Sequence, residues 1–399
     1  MATTGTTQIA DEVQPLYDSR FIMQAQMNVY HDQFFNMRKE MDGERGSSYR
    51  YPILYSLAPN TTQLDELLDV ASQLMNVNEL STTLGEYGGA VDLTRLAVAL
   101  SYADVYKQAA YANGYNLAES IDIISRGVMG QGARRFFPNA RTARSALNGI
   151  TTEDDRMTAP FLEQMANFGR LAGMPLYPDG ALCTEMHPFV FYDVQQDPTI
   201  RQMSQYSHPE ILFNGELAYW SGIRMVVSAG AKAFYAAGAS NASAIATTLN
   251  GSVAAGAEDI IVASATNIDV GDMMLIGTIE TGNTWTDTNE LWVVTAVSGT
   301  TITGYALQGG PSTGGGLRFA HASGATVSNA ATVFPTTFVG PESLTKVCSG
   351  FTGPYGETVV SGPFDKLGRF LTFGWWLISG WSRTFEPWLF RCETGSSLL

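Results

Sequence analysis

The chain has 399 residues, enough for two or three domains with separate cores. Hydrophobic residues make up 45% of it and charged residues only 15%, against roughly 25% charged in an ordinary soluble domain. The formal net charge of −15 excludes a protein whose main task is gripping nucleic acid, because such surfaces need clustered Lys and Arg. Two explanations fit so few charges: a surface largely buried against other subunits, or an extracellular β-rich module with a polar, uncharged coat.

The N-terminus lacks a basic segment followed by an apolar core, so no export signal is read there. The densest apolar run, FGWWLISGW, is too short to span a bilayer. Cys183, Cys348 and Cys392 are far apart, odd in number and without a CxxC pair. That pattern predicts free buried thiols in a reducing compartment.

Residues 1–45 read as a polar arm with scattered aromatics and no core of its own. In the following RGSSYRYPILYSLA, Tyr49, Tyr51, Ile53 and Tyr55 recur at period two, which predicts a strand with one sticky face. Pro52 inside it favours an edge or a projecting ribbon. Leu64, Leu67, Leu68, Ala71, Leu74 and Met75 then fall on one helical face, and NELSTTLGEYGGAVDL returns to extended character with breaks at Gly85, Gly88 and Gly89.

From about 100 to 130 the pattern is helical, with Leu117, Ile121, Ile124 and Val128 on one face and Gly114 as a kink or break. Arg126, Arg134, Arg135, Arg141 and Arg144 form the chain's only basic cluster, pointing to ion pairs at an interface or to phosphate contact. TTEDDRMTAPFLEQMANFGRLAG carries helix-start signals and places Phe161, Met165, Phe168 and Ala172 on one stripe.

After the short extended ALCTEM, His187 and Pro188 open the next helix. Proline suits a first turn and holds the preceding residue extended. His187 with Glu185 supplies two candidate metal ligands, but a zinc or iron site needs a third, and nothing nearby has HExxH or CxxC spacing. His187 therefore reads as a strand-to-helix corner, and SHPE at Ser207 to Glu210 as another. No GxSxG elbow appears. The sequence accordingly offers no catalytic, metal-binding or cofactor-binding residues, and the chain is read as not an enzyme.

Residues 241–335 change style, with strand-like DIIVASA, DMMLIGTIE, ELWVVTAV and TTITGYAL between turn signals. Glu258, Asp259, Asp269, Asp272, Glu280, Asp287 and Glu290 face a single basic residue, Arg318. The segment reads as a separate all-β insertion. GGPSTGGG within it reads as a flexible tip and TDTNE, with Asp287 and Glu290, as a solvated turn rather than a calcium loop. The aromatic-rich stretch from GPFDKLGRFLTFGWW onward reads as mostly extended and resumes the style of the region before the insertion.

Taken in order, the polar arm, RGSSYRYPILYSL, TLGEYGGAV, the long helix, FLEQMANF, HPFVFYDVQQD, NGELAYWSGIR and GPFDKLGRFLTFGWW resemble a tailed-phage major capsid protein. The branch typified by coliphage N-four is the one most similar. The resemblance implies an α+β chain of the Hong Kong 97 type fold. Its parts would be an N-terminal arm at 1–45, an E-loop at 46–98 and a P domain with a spine helix at 99–175. An A domain at 176–240 would be interrupted by the β insertion at 241–335, and 336–399 would complete the A domain and the closing P-domain strand.

It further implies a virion shell assembled in the host cytoplasm as hexamers and pentamers around double-stranded DNA, without sequence-specific contacts or a membrane. A portal would be a partner, with scaffold or decoration proteins as further candidates. The candidate assembly residues are Tyr49, Tyr51, Ile53, Tyr55, Arg134 and Arg135. The competing class, an extracellular surface-layer or adhesin-like protein, fails on the missing export signal and the helical middle. No cleavage site is evident, so the N-terminus is expected to be unprocessed.

The founding member of that fold joins its subunits by lysine-asparagine bonds. Here lysine occurs only at Lys39, Lys107, Lys232, Lys346 and Lys366, leaving none in 46–98. Boiled particles run on a denaturing gel should therefore give a single monomer band. A ladder resistant to reductant would contradict this.

Overall fold

The computed structural model describes residues 31–41, 47–54, 57–61, 63–64, 69–70, 72–101, 105–207, 219–241, 243–309, 314–364 and 367–399. A short turn at His31–Phe34 leads into β1 (Asn36–Met41). β2 (Ser48–Leu54) and β3 (Val77–Thr83) form a two-stranded antiparallel ribbon, in register from Ser48 opposite Thr83 to Leu54 opposite Val77. β4 (Gly85–Thr94) follows, then α1 (Arg95–Leu100), whose cap Thr94 accepts a hydrogen bond from the Ala97 N–H at 3.1 Å. The long helix α2 (Val105–Gly130) comes next.

Beyond it lie β5 (Arg135–Phe136), α3 (Ala159–Leu171), β6 (Leu182–Met186), α4 (Pro188–Gln196), α5 (Pro198–Ser207), β7 (Tyr219–Trp220) and β8 (Ile223–Val227). A run of strands follows: β9 (Ala246–Thr248), β10 (Asp259–Ile261), β11 (Met273–Gly277), β12 (Glu290–Ser298), β13 (Thr301–Ala306) and β14 (Thr326–Ser328). The chain closes with β15 (Phe334–Val339), β16 (Leu344–Ser349), β17 (Glu357–Phe364), β18 (Phe370–Arg383) and β19 (Leu389–Thr394).

β18 is the spine of the first sheet. Its near-continuous apolar text, FLTFGWWLISGWSR, suits a strand covered on both faces. One edge pairs with β4 from Phe370 opposite Thr94 to Ser379 opposite Gly85; along the other edge β17 and then β16 pair in succession. β1 adds to β16 in parallel. α2 lies against this sheet, where Ile121, Trp375 and Leu377 form a buried cluster. The Trp375 indole N–H donates to Asn116 Oδ1 at 3.0 Å, and Asn113 Nδ2 donates to the Phe373 carbonyl.

The second sheet, ordered β10-β13-β12-β11-β14-β9, has its own core around Trp292, Ile302, Met274, Ile276 and Val327. The third, ordered β5-β19-β15-β6-β8-β7, is packed by α3 and α4 through Leu162, Met165, Met186, Val190, Phe338 and Phe390. The chain leaves the third sheet's surroundings and returns at one point. Gly238 N–H donates to the Ala331 carbonyl at 2.8 Å and Ala331 N–H to the Ala239 carbonyl at 3.0 Å. Phe334 and Pro335, placed at the end of the insertion by composition, already belong to β15.

Several expectations are corrected. Gly114 does not end α2; it sits exposed within a continuous helix, at the roughly 1 kcal/mol a glycine costs there. The buried stripe of α2 runs Ala109, Asn113, Ile121, Ser125, Met129, so half-polar positions carry the packing and Ile124 and Val128 are only half-buried. On α3 the buried face is Leu162, Met165, Ala166 and Gly169, with Phe161, Phe168 and Ala172 at its margin. Leu64, Leu74 and Met75 lie in irregular, exposed chain, because no neighbouring surface is there to bury a helical stripe; Leu67, Leu68 and Ala71 lie outside the described residues.

The solvated turn is also overturned. Glu290 is fully buried, accepting from the Arg318 and Phe319 N–H groups at 2.9 and 3.1 Å and facing His321 Nε2 at 2.8 Å. The glycine-rich tip is pinned at its end: Gly314 N–H donates to Glu258 Oε1 at 3.2 Å and the Gly315 carbonyl accepts from Ala306.

The loop between β11 and β12 locks the second sheet to the rest. Arg144 grips Glu393 with Nε and Nη2, both at 2.8 Å, while its Nη1 donates to the Glu280 carbonyl at 2.8 Å and Nη2 to the Gly282 carbonyl at 3.0 Å. Arg391 pairs with the same Glu393 at 2.8 Å and donates to Asn283 Oδ1 at 2.8 Å. Lys232 meets Glu280 at 2.9 Å. Trp285 caps the lock edge-on to Phe234, ring centroids 5.4 Å apart, against Gly130, which has no room for a side chain.

Burial opposes the Glu393 charge, but the two guanidinium groups outweigh it and hold its carboxyl below the usual range. Removing that charge leaves two arginines without a counter-ion in the interior. Glu393→Gln should cost about 3–5 kcal/mol, read as a lowered denaturation midpoint of the unassembled chain. An unchanged midpoint would show that the lock carries no stability.

Candidate assembly surface

Near its base the ribbon meets the body, where the Thr82 hydroxyl donates to Ser382 Oγ at 2.7 Å, and its own ladder is extended by the Leu84 N–H donating to the Ser47 carbonyl at 3.0 Å. Tyr49 pairs across the ribbon with Thr82, Tyr51 with Leu80 and Ile53 with Asn78, so the alternating positions share a face. Tyr49 and Ile53 are half-buried; Tyr55 and the Tyr51 side chain lie outside the described residues.

The most exposed apolar surface is elsewhere on the same excursion. Leu54, Leu57, Leu64, Val70, Leu74, Met75 and Val77 are all exposed, Leu74 to 88%. Within this stretch Gln73 Nε2 donates to the Ala58 carbonyl at 3.1 Å. A run of exposed leucines of this size marks an interaction surface rather than a solvated loop. Sequence periodicity found the strand but assigned the leucines to a helix, so it missed them as surface.

The arginine cluster divides. Arg126 pairs with Asp287, Arg141 with Asp155 at 3.0 Å and Arg144 with Glu393, all within the chain. For these three the expected phosphate or intersubunit contact is replaced by internal ion pairs. Arg134 and Arg135 are exposed; each reaches one carbonyl at 3.3 Å, of Pro387 and Gly282 respectively. They sit at β5, on the edge of the third sheet, and so belong to a different sheet from the ribbon tyrosines.

His187 caps α4. Its backbone is extended (φ −73°, ψ 148°), Pro188 fills the first turn, and Nδ1 accepts the Phe189 N–H at 3.2 Å. The ring packs on Phe334 and Phe189 at 4.6 and 4.9 Å. Glu185 points into a different cluster, against His31. No group of three or more potential metal ligands occurs among the described residues, and His208, Pro209 and Glu210 lie outside them. The three cysteines are buried and free.

Burial pushes the His187 pKa down to about 4. The unfolded chain therefore takes up this proton first, and the contribution present above pH 6.5 is lost as the pH falls towards 4. His187→Ala should cost about 1 kcal/mol as a lost cap. His187→Asn should keep the cap and flatten the fall in stability between pH 6.5 and 4. Denaturation midpoints across that range check both; an Asn variant that tracks the parent would refute the assignment.

No protein-family model matches the chain, and no curated protein sequence does. Solved structures match it end to end. A capsid chain of cyanophage Pam1 superimposes with a TM-score of 0.59 at 11% identity, covering 97% of this chain and 97% of that one. The capsid of cyanophage P-SCSP1u gives 0.58 at 11%, covering 98% and 94%, and that of Ralstonia phage GP4 gives 0.54 at 10%, covering 96% and 96%. No helix among the described residues is long and apolar enough to cross a membrane. The mixed α and β chain described above thus has, over nearly its whole length, the fold of these phage capsid chains.

Proposed function

We propose that the protein is the major capsid protein of a tailed bacteriophage, self-assembling into the icosahedral shell that encloses double-stranded DNA. The observation that carries this reading is the whole-length likeness to several capsid chains, with coverage near complete on both sides. The exposed leucine-rich excursion agrees with it, because that surface is left for another copy to cover. The role is structural, not enzymatic.

The finer parts of the proposal are these. The fold is of the Hong Kong 97 type, in the branch typified by coliphage N-four. The ribbon and β4 act as the E-loop, α2 as the spine helix of the P domain, and the third sheet with α3 and α4 as the A domain. The second sheet is a β domain inserted into it and faces outward; the neighbouring chain ends at 238 and 331 and the separate core support its modularity. Of its acidic residues Glu280 and Glu290 are buried, so repulsion from packaged DNA rests on the others. Hexamers and pentamers form through Tyr49, Tyr51, Ile53, Tyr55 and the rest of the ribbon, with Arg134 and Arg135 meeting acidic groups of neighbours. A portal, and scaffold or decoration proteins, complete the assembly.

Replacing Leu57, Leu64, Leu74 and Met75 together by Ser should leave a folded, soluble chain that forms no shells, because all four side chains are exposed. Negative-stain microscopy and sedimentation of parent and variant check this. Closed particles of normal size from the variant would remove the excursion from the assembly interface, and discrete monomers from the parent would contradict the capsid reading itself.

A further inference from the structure

His31 is fully buried and both ring nitrogens meet carboxylates. Nδ1 lies 2.7 Å from Asp122 Oδ2 on α2, and Nε2 abuts Glu185 Oε1 on β6. Its backbone N–H also donates to Asp122 Oδ1 at 2.8 Å. Nε2 and Glu185 Oε1 have no hydrogen-bond partner elsewhere, and a neutral imidazole has one donor and one acceptor, so a ring set between two carboxylates is stabilised by carrying both protons. The next residue completes the knot: both Asp32 oxygens accept from Lys346 Nζ on β16 at 2.8 Å, and Oδ1 also takes the Ser125 hydroxyl at 3.2 Å and the Trp381 indole N–H on β18 at 3.3 Å. Two adjacent residues thereby tie the start of the described chain to α2, β6, β16 and β18.

We propose that this knot is a pH-sensitive latch: with His31 protonated it fixes the segment leading into β1 on the body, and in alkaline solution it opens while the sheets remain folded. Loss of the ring proton leaves one of the two buried carboxylates facing an unprotonated ring nitrogen, which is the costly arrangement. Other charges around the ring are committed. The turn at Gly230 lies against the imidazole; Lys232 on that turn pairs with Glu280, and Arg126 of α2 donates to the Gly230 carbonyl and pairs with Asp287.

The sign follows from the partners. Burial alone lowers the His31 pKa, but Glu185 and Asp122 together raise it to about 9 from 6.5. The latch's contribution is therefore complete below pH 6.5 and is lost as the pH rises through about 9. A shell built from this chain would loosen the same segment in every subunit under alkaline conditions.

Hydrogen exchange of the full-length protein from pH 7 to 10.5, corrected for intrinsic rates, tests the latch. Peptides covering 31–41 should lose protection about tenfold or more across the titration, while β12 and β19 stay protected. Glu185→Gln removes one of the two carboxylates and should move the midpoint down by about one pH unit, and His31→Asn should show the open level already at pH 7. Protection of 31–41 that is flat to pH 10.5 would overturn the proposal. So would loss in step with the whole chain, or with residues 278–289, where Lys232 is the titrating group, or a midpoint that Glu185→Gln leaves in place.

Discussion

The pairing of β4 with β18 is the constraint on which the rest depends. Ten consecutive residues, Gly85 to Thr94, lie in register along one edge of β18, whose other edge is occupied by β17 and β16. The approach is close: a Cβ on Gly89 would lie 2.9 Å from the Trp375 indole nitrogen, and one on Gly380 2.5 Å from the Thr83 carbonyl. Glycine at those two positions lets the ribbon's return strand run tightly over the tryptophan core. Because β3 turns directly into β4 at Leu84, the direction in which the apolar excursion leaves the body is set by this sheet. The same tryptophan, through Asn116, sets α2 on the sheet.

A second theme is where the few charges go. Arg144, Arg391, Glu393, Lys232, Glu280, Lys346, His31, Asp122 and Glu185 are buried, and all of them join elements distant in sequence. Low overall charge therefore understates how apolar the exterior is, since part of the charge is spent on internal ties. Such buried pairs confer geometry more than net stability, because desolvation consumes much of the attraction. Here they hold three sheets and the segment at His31 and Asp32 in one arrangement.

What sequence reasoning reached was local. Period-two alternation around Tyr49 and Ile53 found β2, the apolar text around Trp375 found the spine strand, and the His187-Pro188 step gave the strand-to-helix corner. Where pattern and partner were separate, it failed. Leu64, Leu74 and Met75 have helical spacing, but a stripe forms a helix only when something buries it. Glu290, Glu280, Asp122 and Glu185 are of a type that reads as solvent-facing, and their partners lie tens to more than a hundred residues away. No local signal distinguishes Arg144, locked to Glu393, from Arg134, left at the surface. His31 was invisible for the same reason: its meaning comes from two carboxylates on other elements.

The central claim is that the chain completes its surface only with copies of itself. A reconstruction of the assembled particle tests it most directly. The account predicts that the ribbon and the excursion from Leu54 to Val77 lie on a neighbouring subunit, with Leu64, Leu74 and Met75 excluded from solvent. A particle in which that excursion stands free in solvent, or is folded back on its own subunit, would contradict it.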